Sequence, residues 1–276
     1  MTPTLPACTT LLLQREGRRL DVVLSRPDAK NALNAEMVQE LLRVVEYLEN
    51  ARDIDIVVLR GAAGTFCAGG DIKGFMEQFK SPAPAPGERD PVAIQNRRFG
   101  TFLARFDSLP QTIVVVVEGA AFGGGLGLAA IGDVVIATAD ARFAMSETGL
   151  GIVPAQIAPF VAARVGVPEA RRLALTGLRF DGREAGRIGL VHCVCEDAAA
   201  LEATLAKLLA DIGRCAPGAN AATKRLLLAS RAMPLEPLLD QAADAFATAL
   251  RGAEGREGVS ASLEKRKPAW ADDRTA

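Results

Sequence analysis

Two glycine-rich turns and one isolated acid are the residues of this chain best suited to act on one substrate together. Gly69-Gly70 and Gly123-Gly124-Gly125 each follow a hydrophobic run, Ile54–Leu59 and Ile113–Val117, of the length and composition of a buried strand. Glycines at a helix start bare backbone N–H groups, which hold negative charge. In a parallel sheet both turns lie at the same carboxyl-terminal edge. Two such amides converging on one carbonyl oxygen make an oxyanion hole, each donor contributing ~3 kcal/mol to a developing enolate. Glu147, in Ser146-Glu147-Thr148-Gly149, follows the next strand-like run, Val134–Ala137, and is the acid that would move a proton at carbon. A plainer reading of the first turn stays open: a tight strand-to-helix connection with Asp71 capping the helix.

Other chemistries lack the residues they need. The single histidine, His192, sits in an apolar strand-like run, Leu190–Val194, where a satisfied core residue is expected; no G-x-S-x-G elbow is present. Zinc lacks ligands. Gly125-x-Gly127-x-x-Ala130 matches a dinucleotide fingerprint in form, but no acid closes a following strand, and no P-loop lysine occurs. The formal net charge is −1, and no basic, aromatic-rich stripe exists, which argues against nucleic acid as a partner. Thr112–Gly132 is apolar enough to suggest a membrane span, yet Glu118 and several glycines interrupt it, so a packed core is expected and no membrane partner. The five cysteines form no CxxC pair, and the N-terminus has no basic residues before its apolar patch. A cytoplasmic protein is expected.

The 276 residues, 49% hydrophobic and 24% charged, suffice for a sizeable core. Residues 9–25 read as a strand pair around Glu16-Gly17. Asn34 caps a helix carrying Met37, Leu41, Leu42, Val45 and Leu48 on one face, and Ile54–Leu59 is the next strand. Strand, helix and strand in this order predict an α/β unit with a right-handed crossover. Residues 81–90 read as an exposed loop before a helix from about Val92 to Phe106. Loop and helix act either as a lid over an apolar ligand or as plain surface. Pro159–Val165 continues into a helix stopped by Gly177, and from Ala198 the chain reads as all helix.

Lys30-Asn31-Ala32-Leu33-Asn34, Phe66-Cys67-Ala68-Gly69-Gly70-Asp71-Ile72, Phe122-Gly123-Gly124-Gly125, Ser146-Glu147, Gly151-Ile152-Val153-Pro154 and Glu264-Lys265-Arg266-Lys267 occur in this order. Through them the chain resembles the enoyl-CoA hydratase/isomerase (crotonase) superfamily over almost its full length. The resemblance implies an α/β spiral core of β-β-α turns over residues 1–197 with the acyl-CoA site. It implies a C-terminal helical region, 198–276, that trimerises, usually as a dimer of trimers. The substrate it implies is an acyl-CoA thioester, with coenzyme A part of the substrate and neither a separate cofactor nor a metal. The thioester carbonyl would be held by the amides of Gly70 and Gly124, and Glu147 would be the acid/base. Arg26, Ala29, Lys30, Ala68, Gly70, Asp71 and Ile72 match the strip that cradles the coenzyme A. Lys265 matches a basic residue near the adenine nucleotide, often donated by a neighbouring helix, or is a solvated tail charge.

One departure matters. Two-carboxylate hydratases carry a glutamate three residues after the middle glycine, and here that position is Gly127. Gly127 together with Ser146–Gly151 and Val153–Phe160 looks like hydratases of glutaconyl-type esters, the 3-methylglutaconyl-CoA and isohexenylglutaconyl-CoA hydratases of leucine and acyclic-terpene breakdown. A lone glutamate equally suits a Δ3,Δ2-enoyl-CoA isomerase. A non-catalytic acyl-CoA- or RNA-binding member is the third reading.

Overall fold

The computed structural model describes residues 4–78 and 84–272. A hairpin of β1 (Leu11–Glu16) and β2 (Arg19–Leu24) opens the chain, and α1 (Ala35–Asn50) follows. The Asn34 side chain accepts from the Met37 N–H at 2.9 Å, which starts α1 and turns Met37, Leu41, Val44, Val45 and Leu48 into the core. Next come β3 (Ile56–Gly61), α2 (Ile72–Gln78), α3 (Pro91–Asp107) and β4 (Thr112–Val117). Asp90 caps α3 and Pro91 sits in its first turn. The chain then runs through β5 (Ala120–Phe122), α4 (Gly124–Ala130), β6 (Val134–Thr138) and β7 (Arg142–Ala144). It continues with α5 (Ala158–Val165), α6 (Val167–Thr176), β8 (Arg179–Asp181), α7 (Gly182–Arg187) and β9 (Cys193–Cys195). Helices α8 (Ala198–Gly213), α9 (Pro217–Ala229), α10 (Leu235–Arg251), α11 (Ala253–Leu263) and the short α12 (Ala269–Asp272) follow.

The main sheet has the order β1-β2-β3-β4-β6-β9; β1 and β2 pair antiparallel and every other pair is parallel. Both of its faces are covered. Ile113, Val115 and Val117 pack with the large core that includes α1 and α3, while Val114 and Val116 pack with Leu201 and Leu205 of α8. A strand buried on both sides reads as an unbroken apolar run rather than an alternation, which is why Ile113–Val117 is legible as it stands.

One feature has no signal in the sequence, and two expectations are corrected. A second sheet, β5-β7-β8, stands beside the first, and strands of three residues are too short to carry a period. The helix expected from Pro159 onward is two, α5 and α6, separated at Gly166, whose φ of 80° no helix tolerates. His192 precedes β9 and is exposed rather than in the core, with Nδ1 accepting from the Val135 N–H at 2.9 Å. Of the expected loop 81–90, residues 81–83 lie outside the described residues, and the remainder turns into the Asp90 cap.

Candidate active site

Strands β3 and β4 are adjacent and parallel, so the segments leaving them emerge at one edge of the sheet. There they zip together: the Cys67 N–H donates to the Ala120 carbonyl at 2.7 Å, and the Phe122 N–H to the Cys67 carbonyl at 3.0 Å. Gly69, at φ 97°, closes the contact, because a Cβ on it would lie 2.8 Å from the Phe122 oxygen. The Leu33 N–H donates to the Gly69 carbonyl at 2.7 Å, and the Asp71 N–H to the Leu33 carbonyl at 2.9 Å. In that parallel bridge Gly70's own N–H points away from Leu33, and it has no acceptor among the described residues. Gly124 is the first residue of α4, where a helix leaves its N–H without an internal acceptor. It too has none among the described residues. The two expected amides therefore stand bare on turns that touch.

Glu147 reaches the same place from the other side. It follows β7 and opens a single 3-10 turn, Glu147–Leu150, closed by Gly151 at φ 74°. Its carboxylate lies over Gly123: a Cβ there would sit 3.0 Å from Oε1 and 3.4 Å from Cδ. Oε2 is buried and has no hydrogen-bond partner among the described residues. Burial raises the Glu147 pKa above its ordinary value. A carboxyl beside an amide donor, displaced toward neutrality, can both take and return a proton.

The remaining walls are apolar. A Cβ on Gly124 would meet Leu33 Cδ1 at 2.7 Å and the Phe99 ring at 3.5 Å. At Gly127, where a two-carboxylate site would place its first acid, a Cβ would run into Ile157 Cγ2 and lie 2.8 Å from Ile157 Cβ. Gly125 abuts the Cys67 carbonyl at 2.6 Å in the same terms. The fingerprint-like glycines are thus spent on close packing and do not face a nucleotide. Cys67 is fully buried and desolvation pushes its thiol up to about 12, so it is inert as a nucleophile.

The expected coenzyme A strip is brought together around one buried side chain that sequence reasoning passed over. Asn31 accepts from the Arg26 N–H at 2.9 Å and donates to the carbonyls of Ala62 at 2.9 Å and Thr65 at 2.6 Å. This holds the Arg26–Leu33 loop against the turn after β3, with the Ala68 N–H donating to the Lys30 carbonyl at 3.0 Å. Arg26 pairs with Asp71 at 2.9 Å and donates to the Ala32 carbonyl, so both charges brace the loop. Lys30 and Ile72 are exposed, and Ala29 and Ala68 half-buried, along the same ledge. The signal for Asn31 was its place within Lys30-Asn31-Ala32-Leu33-Asn34; Phe99 and Ile157 had no local signal. Lys265 stands apart, in the turn after α11 at φ 55°, its N–H bonded to the Ser262 carbonyl.

The sequence and the fold match known proteins. The Enoyl-CoA hydratase/isomerase family profile matches residues 19–273. The chain belongs to the enoyl-CoA hydratase/isomerase family. Among solved structures it is similar to Pseudomonas aeruginosa AtuE, with 51% identity and a TM-score of 0.91, covering 95% of this chain and 100% of that one. An enoyl-CoA hydratase/isomerase from Marinobacter aquaeolei is 45% identical with a TM-score of 0.92, covering 96% of this chain and 100% of the other. The 2,3-dehydroadipyl-CoA hydratase of Escherichia coli K12 is 33% identical over 260 residues, which is 94% of this chain and 97% of that one. Membership in the enoyl-CoA hydratase/isomerase family implies an acyl-CoA thioester as substrate. Among the described residues no helix is long and apolar enough to cross a membrane.

Proposed function

We propose that the protein is an enoyl-CoA hydratase that adds water to a 2-enoyl-CoA thioester. The thioester oxygen accepts from the Gly70 and Gly124 amides, which lowers the energy of the enolate formed when C3 is attacked. Glu147 takes a proton from the attacking water and returns one to C2, so the water is consumed whole and the carboxylate is regenerated. The observation that carries this reading is the partnerless Oε2 of Glu147, buried beside the Gly123-Gly124 turn. Coenzyme A enters as part of the substrate along the Arg26–Ile72 ledge, Lys265 serves its nucleotide end, and no separate cofactor takes part. Glu147→Gln keeps the shape and removes the base, so we expect hydration, followed by loss of the enoyl-thioester absorbance, to fall by about 10²–10⁴-fold. Binding of the ester should change little, and a fully active Glu147→Gln enzyme would refute the assignment.

For the acyl group the reading is a branched glutaconyl-type ester such as 3-methylglutaconyl-CoA or isohexenylglutaconyl-CoA. The apolar walls of Leu33, Phe99 and Ile157 suit a branched chain, and a relative named for 2,3-dehydroadipyl-CoA acts on an ester with a distal carboxylate. The single acid left by the packing of Ile157 on Gly127 also suits a Δ3,Δ2-enoyl-CoA isomerase. Incubation with 3-enoyl and 2-enoyl esters separates the two, and relatives named as hydratases favour hydration.

A further inference from the structure

An acyl chain whose carbonyl is held at Gly124 would leave it along one face of α4. That face is flanked by Phe99 at Gly124 and, three residues on, by Ile157 at Gly127. Beyond these two side chains both walls turn polar at once. Asn96 lies one turn before Phe99 on α3, and Gln156 immediately precedes Ile157. Their side chains meet, Gln156 Nε2 donating to Asn96 Oδ1 at 2.8 Å. The Gln156 carboxamide occupies a notch that exists because residue 100 has no side chain: a Cβ on Gly100 would run into Gln156 Oε1 and lie 2.8 Å from its Cδ. Arg97 Nη1 borders the same notch, 3.2 Å from that point. The Arg97 guanidinium is held by the Thr101 hydroxyl at 3.0 Å and has no carboxylate partner among the described residues.

The chemistry left over is that of donors. Asn96 Oδ1 is already engaged, which leaves Asn96 Nδ2 and most of the Arg97 fork facing outward. Donors in excess, one of them a delocalised cation, recognise a carboxylate. We propose that Asn96, Arg97 and Gln156 form the subsite for the distal carboxylate of the acyl group, with Arg97 setting specificity. Asn96 lies three residues before Phe99 on α3, a helical rise of about 4.5 Å. That is the length scale of the four carbon–carbon bonds separating the two carboxyl carbons of a glutaconyl group. Gln156 holds Asn96 so that its amide nitrogen faces the carboxylate, and Gly100 makes room for Gln156.

This inference rests on the glutaconyl-type reading above, and the test separates the two. The full chain and its Arg97→Met, Arg97→Lys and Gly100→Ala variants are compared by kcat/KM on 3-methylglutaconyl-CoA and on crotonyl-CoA. The wild type should prefer the carboxylated ester. Arg97→Met should lower the ratio of the two kcat/KM values by at least about tenfold, chiefly through KM for the carboxylated ester, as expected for loss of a charge-assisted hydrogen bond. Arg97→Lys should retain part of the preference. Gly100→Ala, which suits a helix and displaces only the end of Gln156, should lower the ratio without changing any charge. A wild-type enzyme that hydrates crotonyl-CoA but not 3-methylglutaconyl-CoA overturns the substrate reading and this subsite with it. A wild-type preference that survives Arg97→Met, or falls equally on both esters, overturns the subsite alone.

Discussion

The character of Glu147 comes from what surrounds it. Burial raises its pKa, so folding favours the protonated form. Its contribution to stability is therefore fully present below the carboxyl's unfolded pKa and is lost as pH rises through the folded value. Above the unfolded value, ionising this buried carboxyl costs stability. Glu147→Gln should accordingly raise Tm at about pH 8 and leave it nearly unchanged at about pH 4. A lower Tm at the higher pH would mean that the carboxylate is held by partners and not merely desolvated. Gly127 is the complementary case. The space beside it belongs to Ile157, so Gly127→Ala should destabilise by ~1–3 kcal/mol through overpacking, measured by urea unfolding. Gly127→Ala combined with Ile157→Ala should cost less than the sum of the two single changes, because Ile157→Ala removes the Cγ2 that the new Cβ meets.

Elements, rather than single residues, bring Gly70, Gly124 and Glu147, the groups proposed for catalysis, to one place. Strands β5 and β7 pair in parallel, and this short ladder places the Gly123 turn under Glu147. At the far edge of the main sheet β6 pairs with β9, and His192 just before β9 accepts from Val135 in β6. Partial desolvation of its ring against β6, though the residue is exposed as a whole, and then the Arg164 guanidinium 3.3 Å away lower the His192 pKa. Folding thus favours neutral imidazole, and the stability it contributes is present above the unfolded histidine value of about 6.5 and lost as pH falls through the folded value. Replacing His192 by Gln should flatten the stability–pH curve below about pH 6.5. An unchanged slope would show that Asp and Glu groups carry the acid sensitivity instead.

At the scale of the molecule, the helical end of the chain is unevenly packed. Leu201 and Leu205 of α8 complete the core on one face of the sheet, whereas α9 and α10 bury no residue. Leu227, Leu235, Leu239, Phe246 and Leu250 are exposed on them, with Phe246 at 69%. We propose that other copies of the chain cover this apolar surface, as in the trimer or dimer of trimers that the family resemblance implies. Phe246→Asp should shift the sedimentation coefficient to a smaller species. If Lys265 reaches a neighbour's nucleotide site, KM for the acyl-CoA should rise with dissociation. A variant that sediments as the wild type would place the interface elsewhere.

Much of the site is legible in the residue string because its signals are local. A glycine pair after an apolar run, an asparagine before a helical stripe and an isolated acid after a strand each depend on a few neighbours. Their backbone consequences follow wherever the segment lies. Local residue patterns carry the α/β alternation, the Asn34 cap, the two bare-amide turns and the lone Glu147. Packing between distant segments is what brings Gly69 against Phe122, sets Glu147 over Gly123 with one oxygen unpartnered among the described residues, and closes the space at Gly127 with Ile157. It alone also set Asn96, Arg97 and Gln156 around one notch. These are contacts between residues distant in sequence, fixed by how strands pair and helices cross, and no local pattern of residue types records them.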